Sequence, residues 1–185
     1  NDPFAWNDSS QTTLNIPNFP AVTLPWTEDF ESFTLCGSGS DCGVTICALN
    51  NGLTNLENGT EDDIDWRTWE GNTPSNNTGP SDDYLPGTAT GNYLYLEASG
   101  SCNQQEALLL TRCIDLTNAI NPELTFGYHL YGAGMGSLHV DVYAGGSWTN
   151  DIFVASGNLG NQWNLAQVLL GTYTGQVLTL RFRGI

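Results

Sequence analysis

The stretch GSLHVDVYAG, residues 136–145, decides the architecture. Leu138, Val140 and Val142 alternate with His139, Asp141 and Tyr143, so a side-chain period of two puts the aliphatics on one face and the polar groups on the other. A helical period would scatter both sets around the axis. The same alternation recurs in QVLTLRFRG (176–184), where Leu178, Leu180 and Phe182 oppose Val177, Thr179 and Arg181. Outward from these two runs lie TLPWTEDFESF (23–33), DIDWRTWEG (63–71), NYLYLEAS (92–99), EALLLTRCIDL (106–116), ELTFGYHLYG (123–132), DIFVASG (151–157) and WNLAQVLLG (163–171), each cut off by Gly, Asn, Pro or Asp. They recur about every ten to fifteen residues, and only AQVLL (166–170) could be argued as a helical turn. Regular short strands without intervening helices predict an all-β chain, folded as a jelly-roll-like antiparallel β-sandwich.

Composition sets the next limits. The 185 residues suffice for one domain, expected over 25–185, preceded by an Asn-, Ser-, Thr- and Pro-rich stretch (1–24) that reads as a linker or extended tail. Twenty acidic residues against four Arg and no Lys give a formal charge of −16, so nothing is available to neutralise phosphates and a nucleic-acid partner is excluded. The same field disfavours anionic lipid and favours cations or neutral and basic partners. Only 13% of the residues are charged, which leaves a surface of Asn, Ser, Thr, Gln and Gly. That composition points to a secreted or cell-surface β-protein. No run is long and apolar enough for a membrane span, and no signal peptide is visible.

Five cysteines (36, 42, 47, 102 and 113) include no CxxC pair, which argues against a structural zinc and for disulfides. Cys102 and Cys113 stand at the ends of CNQQEALLLTRC, spaced for a bridge across a short β excursion. Among Cys36, Cys42 and Cys47 one further pair is expected, with Cys36–Cys47 preferred, and one thiol is left over.

The local chemistry is acidic. Glu28, Asp29 and Glu31 lie in one run, Asp62, Asp63 and Asp65 precede Trp66, and Asp82 and Asp83 sit in a turn-rich loop spanning 71–91. Carboxylates from separate loops suit a hard cation such as calcium, and a cation site including Asp63 or Asp65 is weighed here against a merely solvated acidic surface. A glycosidase pair would need carboxylates set across a cleft, and these crowd against their own chain neighbours. No GxSxG is present, and without lysine no Schiff base can form, so the chain is expected not to be an enzyme. His129 and His139 flank GAGMG (132–136), which reads as a hairpin turn pairing the strands before and after it. Trp66 and Trp163 are expected in the core. Trp69, Trp148 and Tyr84 fall near loops, where an exposed ring could stack on a sugar or fill a partner's pocket.

Taken together, TEDFES (27–32), GTEDDIDWRTWEGNTPSNNTGP (59–80), GNYLYLEASG (91–100), CIDL (113–116), PELTFGYHLYGAGMGSLHVDVY (122–143), SGNLGNQW (156–163) and LRFRG (180–184) resemble successive blocks of MAM domains. The resemblance is closest to versions in large secreted proteins of Bacteroidetes-type bacteria. It covers roughly 26–184, and many blocks in order make it more specific than any single motif. It implies a disulfide-stabilised jelly roll, a bound cation and a role in adhesion or beside catalytic domains. Carried over residue by residue, the cation region falls on Glu31, Asp63 and Asp65. The family pattern continues past the R-F-R-G block into a last strand, whereas this sequence stops at Ile185; either that end is a plain boundary of the stretch, the preferred reading, or the sandwich lacks a strand that another chain supplies. Three functions follow as expectations: an adhesion or interaction module with a protein or glycan ligand; a carbohydrate-binding accessory of a secreted polysaccharide-degrading enzyme; and a filament subunit completed by a neighbour's donated strand.

Overall fold

The computed structural model describes residues 20–37, 47–97 and 100–185. In chain order its strands are β1 (Val22–Thr23), β2 (Thr54–Asn55), β3 (Arg67–Glu70), β4 (Asn92–Tyr95), β5 (Ala107–Leu110), β6 (Ile114–Asp115), β7 (Glu123–Tyr128), β8 (Ser137–Ala144), β9 (Ser147–Ser156), β10 (Asn164–Leu169) and β11 (Val177–Gly184). Two short 3-10 turns, Gly100–Cys102 and Gly171–Tyr173, are the helical elements among the described residues.

β11 organises the molecule. Along one edge it pairs antiparallel with the whole of β8, from Leu178 opposite Ala144 to Gly184 opposite Leu138. Along the other it pairs first with β6 and then with β5. Between those two strands the Thr111 hydroxyl accepts the Leu180 N–H at 3.0 Å while the Thr111 N–H donates to the Leu180 carbonyl at 2.9 Å, so the ladder is unbroken where the backbone shifts. β1, β2 and β9 complete a seven-stranded sheet. β8 and β9 turn through Gly145 and Gly146, both with positive φ (59° and 84°), the conformation a two-residue hairpin demands.

The second layer consists of two antiparallel pairs, β3 with β4 and β7 with β10. Alternation decides what faces what. Leu178 and Leu180 of β11, Val140 and Val142 of β8 and Ile114 of β6 pack against Val168 of β10 and the half-buried Leu124 and Phe126 of β7. A second cluster joins Leu109 of β5 to Phe33, Leu53 and the half-buried Leu94 of β4 and Trp66. Phe182 packs against both clusters and ties them into one interior. Each fully buried aliphatic contributes roughly 1.5–3 kcal/mol, so this interlayer contact is the main source of stability. The predicted all-β sandwich is therefore the observed one.

Several local expectations are corrected. β7 and β8 do not form a hairpin: β7 pairs with β10, and β8 pairs with β11 and β9. Both strands carry an apolar face, and burying both is achieved by placing them in opposite layers with 129–136 crossing between. AQVLL is strand, not helical turn; Ala166 and Val168 are buried while Gln167 and Leu169 are exposed. Within 23–33 only the first residue is strand, since Phe30 takes a positive φ of 64° and accepts the Phe33 N–H in a turn. The Cys102–Cys113 bridge does not form. Cys113 is a half-buried free thiol near the Thr179 hydroxyl, and Cys102 is disulfide-bonded to a different partner. Cys113 faces Thr179 of β11, next to the point where β6 joins that strand. Cys36 and Cys47 form the preferred bridge. Cys42 and residues 1–19 of the expected tail lie outside the described residues. At the tail's end, Val22 and Thr23 pair with β6, and Arg112 donates to the Pro20 carbonyl at 2.7 Å, so these residues belong to the sandwich.

Candidate functional site

The acidic block 57–65 folds into a corner against the start of β5. Gly59 donates to the Asp62 carbonyl and Glu61 to the Glu57 carbonyl, curling the chain so that three carboxylate hooks follow within four residues. Asp62 accepts the Leu108 N–H at 2.7 Å, Asp63 accepts the Glu106 N–H at 3.0 Å, and Asp65 accepts the Cys47 N–H at 3.0 Å. Each carboxylate thus satisfies a backbone donor that the sheets leave open. Through Asp65 the corner also holds Cys47, one half of the Cys36–Cys47 disulfide.

Asp62 has an oxygen that these hooks do not use. It is 7% exposed, and its second oxygen is buried with no hydrogen-bond partner, as is the side-chain oxygen of Gln105, the residue before Glu106. Burial, reinforced by the charges of Asp65, Asp63 and Glu106, pushes its carboxyl up to about 7, with the Leu108 N–H pulling the other way. An all-oxygen, electron-rich corner with spare buried acceptors is the donor chemistry of a hard cation. As folded, however, no three His, Cys, Asp or Glu side chains among the described residues are arranged as a metal site.

Glu31 does not join this corner. Its carboxylate accepts the Asn92 N–H at 2.9 Å and anchors β4, and it is absent from the charges that act on Asp62. Of the expected set Glu31, Asp63 and Asp65, the last two are at the corner, and Asp62 is the member with an oxygen to spare. The signal for it was the DD pair itself: in a turn, successive side chains diverge, so one acid of the pair is forced inward.

A second charged cluster lies on the outer face of the large sheet and was not anticipated. Asp141, whose side chain is 0% exposed, receives Arg181 at 2.8 Å and Arg183 at 3.3 Å as well as the Asp151 N–H at 2.8 Å. Burial alone would raise the Asp141 carboxyl, yet Arg183, the Asp151 N–H and Arg181 together hold it below the ordinary value. Asp151 bridges Arg183 and His139, both at 2.7 Å. Arg181 also lies 4.1 Å from the ring centroid of Trp148. With Arg112 held by Pro20 and Arg67 buried in β3, all four cations are committed inside the fold, and the remaining surface is anionic and amide-rich.

The rings singled out in the sequence fall in two places. Trp148 packs on Tyr143 beneath Arg181. Trp69 donates to the Asn72 carbonyl and joins an aromatic chain running through Tyr95, Tyr93 and Trp163, with Tyr84 packed on Trp163. All three are half-buried against their own domain. Trp66 and Trp163 are half-buried, not fully enclosed. His129 caps the aromatic chain 5.4 Å from Trp163, far in topology from His139. The loop 71–91 folds over this aromatic face. Asp83 accepts the Gly87 and Thr88 N–H groups, Trp163 donates to the Asp82 carbonyl, and the Tyr84 ring lies so close to Gly127 that a Cβ there would overlap it.

A disulfide-closed, two-layer β-sandwich with a long loop pinned across one layer defines the class as a sandwich module that presents loops. The family model of the MAM domain (meprin/A5/mu) matches residues 29–185, and the chain belongs to that family. Among its relatives are the MAM domain-containing glycosylphosphatidylinositol anchor protein 1 of Rattus norvegicus, 30% identical over 166 residues (85% of this chain and 16% of that protein), and Neuropilin-1a of Danio rerio, 31% identical over 108 residues (57% and 11%). Thyroid hormone-induced protein B of Xenopus laevis is 35% identical over 105 residues, 56% of this chain and 15% of that protein. The chain therefore spans less than a fifth of the length of these relatives. Of solved structures, the K1 cleaved adhesin domain of Lys-gingipain from Porphyromonas gingivalis W83 is similar at 19% identity with a TM-score of 0.46, covering 74% of this chain and 82% of that one. No described helix is long and apolar enough to cross a membrane.

Proposed function

We propose that this chain is a non-catalytic extracellular interaction module, one domain of a larger secreted or cell-surface protein, that binds a partner through loops held on a rigid sandwich. Membership of the MAM family carries the reading, since relatives in that family include a glycosylphosphatidylinositol-anchored protein. The Cys36–Cys47 disulfide supports an oxidising compartment. The acids support it too: Asp62, Asp63 and Asp65 serve as hooks to backbone N–H groups, which uses carboxylates for architecture. On the same reading a structural calcium ion would be drawn to Asp62, Asp63 and Asp65, whose carboxylates would turn from their backbone partners to hold it. That ion would neutralise the corner and tie it to β5.

The test is adhesion under flow. Beads carrying the folded chain are expected to be retained on surfaces coated with extracellular-matrix protein or with whole cells in calcium-containing buffer, and beads carrying chain that has been reduced and unfolded are not. Absence of retention on every surface, together with turnover of ester or glycoside reporters above the blank, would overturn the proposal.

A further inference from the structure

We propose a second binding site: a cleft between the loop 71–81 and the ends of β7 and β10 that takes a neutral saccharide. The cleft is open-sided and offers about 360 Å³, at the lower end of the range for small-ligand sites. Its walls include Asn72, Asn76, Asn77, Ser81, Tyr131 and Asn161. None of the eleven residues lining it is charged, in a chain with twenty acids.

The cleft is built in advance of any ligand. Within the loop, Thr73 donates to the Thr78 carbonyl at 2.7 Å and Thr78 to the Ser75 carbonyl at 3.2 Å, which folds 73–78 into a compact rim. Gly79 donates to the Tyr131 carbonyl at 3.0 Å and fastens the rim to the far wall. Gly79 has a φ of 63°, and a Cβ there would overlap Thr73, so glycine is required for the approach. On the opposite wall the Asn161 side-chain oxygen lies 3.1 Å from His129 Nε2. The other ring nitrogen of His129 is buried without a hydrogen-bond partner, and burial holds the ring neutral, so Nε2 carries the hydrogen and donates to Asn161. That contact occupies the amide oxygen and leaves the Asn161 NH₂ as a donor toward the cleft.

Elimination then fixes the ligand class. An anion would need cations, and all four are committed elsewhere. A cation would be drawn to the carboxylates outside the cleft. An apolar ligand would leave the amides and hydroxyls of the walls without partners, a cost of about 1–3 kcal/mol for each group so buried. A sugar offers hydroxyls that donate and accept together, as Asn72, Asn76 and Asn77 do, and a CH face for the Tyr131 ring. The site is distinct from Trp69, Trp148 and Tyr84, and it stands or falls apart from the partner-binding reading above.

The test uses the whole chain produced without N-glycosylation, because Asn76 begins an N-x-T sequon on the rim. Titration calorimetry with cellopentaose, mannopentaose, xylopentaose and lacto-N-tetraose is expected to show saturable binding to at least one, with Kd of roughly 0.1–1 mM for so open a site. Asn161→Ala and Asn72→Ala, both at exposed positions, are each expected to weaken it about fivefold, the worth of one hydrogen bond, with the melting temperature unchanged. No saturable binding to any of the four, binding that survives the double variant, or tighter binding to a heparin pentasaccharide would overturn the proposal.

Discussion

Replacing Asp141 by Asn probes the least expected feature of the fold, an ion cluster buried on the outward face of a sheet. The side chain is fully covered, takes Arg181 and Arg183 from the neighbouring strand, and accepts the Asp151 N–H. Asn keeps the shape and can still accept one hydrogen bond, but it leaves two guanidiniums two residues apart on one strand with their common counterion gone. Breaking a buried pair from one side costs about 3–5 kcal/mol. The lower end applies here, because Arg183 keeps Asp151 at 2.7 Å and the two Arg side chains retain 16–18% exposure. A loss of about 3 kcal/mol corresponds to a melting temperature lower by roughly 6–12 °C in a domain of this size. Urea unfolding followed by Trp fluorescence measures it. The pH dependence adds a second check. The folded-state carboxyl of Asp141 lies below its ordinary value, so the stability it contributes is present above the unfolded-state pKa of about 3.9 and is lost as pH falls through the folded value. The gap between the two proteins should therefore narrow below about pH 4. A variant within 0.5 kcal/mol of the parent at pH 7 would show the cluster to be an ordinary solvated surface pair.

Other outcomes are equally specific. Leu180→Ala, at a position 2% exposed between the layers, should cost about 2–5 kcal/mol in urea unfolding, whereas Leu169→Ala, 77% exposed on β10, should change stability by less than about 0.5 kcal/mol. Removing the Cys36–Cys47 bridge by a double Ala substitution opens a loop with a sequence separation of 11 and should cost about 2–3 kcal/mol, read by calorimetry without reductant. The Asp62 carboxyl is raised from 3.8 to about 7, so the stability tied to its protonated form is complete below the unfolded value and is lost as pH rises through the folded one. In chelator at pH 8, Asp62→Asn should therefore be more stable than the parent, by up to roughly 4 kcal/mol, with no difference near pH 3.5. Calcium at pH 8 should raise the parent's melting temperature and leave the variant's unchanged; equal responses would remove Asp62 from any cation site.

What the sequence disclosed was what alternation can disclose. β8 and β11 declared their buried faces outright, and β10 did so once Ala166 and Val168 were seen to be two apart. Alternation says which face is buried but not which strand lies alongside, and so it points to a β7–β8 hairpin that the fold does not contain: a glycine-rich connection serves a crossing between layers as well as a turn. The Asp141 cluster was invisible for a related reason. Asp141 and Arg181 stand 40 residues apart and meet only through the β8–β11 register. The acidic corner was legible as a cluster containing Asp63 and Asp65, but only the fold shows that the Asp62 side chain is buried there and that Glu31 lies at β4 instead. The cleft draws its walls from three separate segments, and amides carry no signature in a chain made of them.

Native-state hydrogen exchange resolved by residue tests the two-layer arrangement most directly. With β11 flanked on both edges and clamped by both core clusters, its amides from Leu178 to Phe182 should exchange only through global unfolding, and those of β8 facing it should match them. Fast exchange along β11, at the rate of an edge strand such as β9, would contradict the architecture on which the loops, the corner and the cleft all depend.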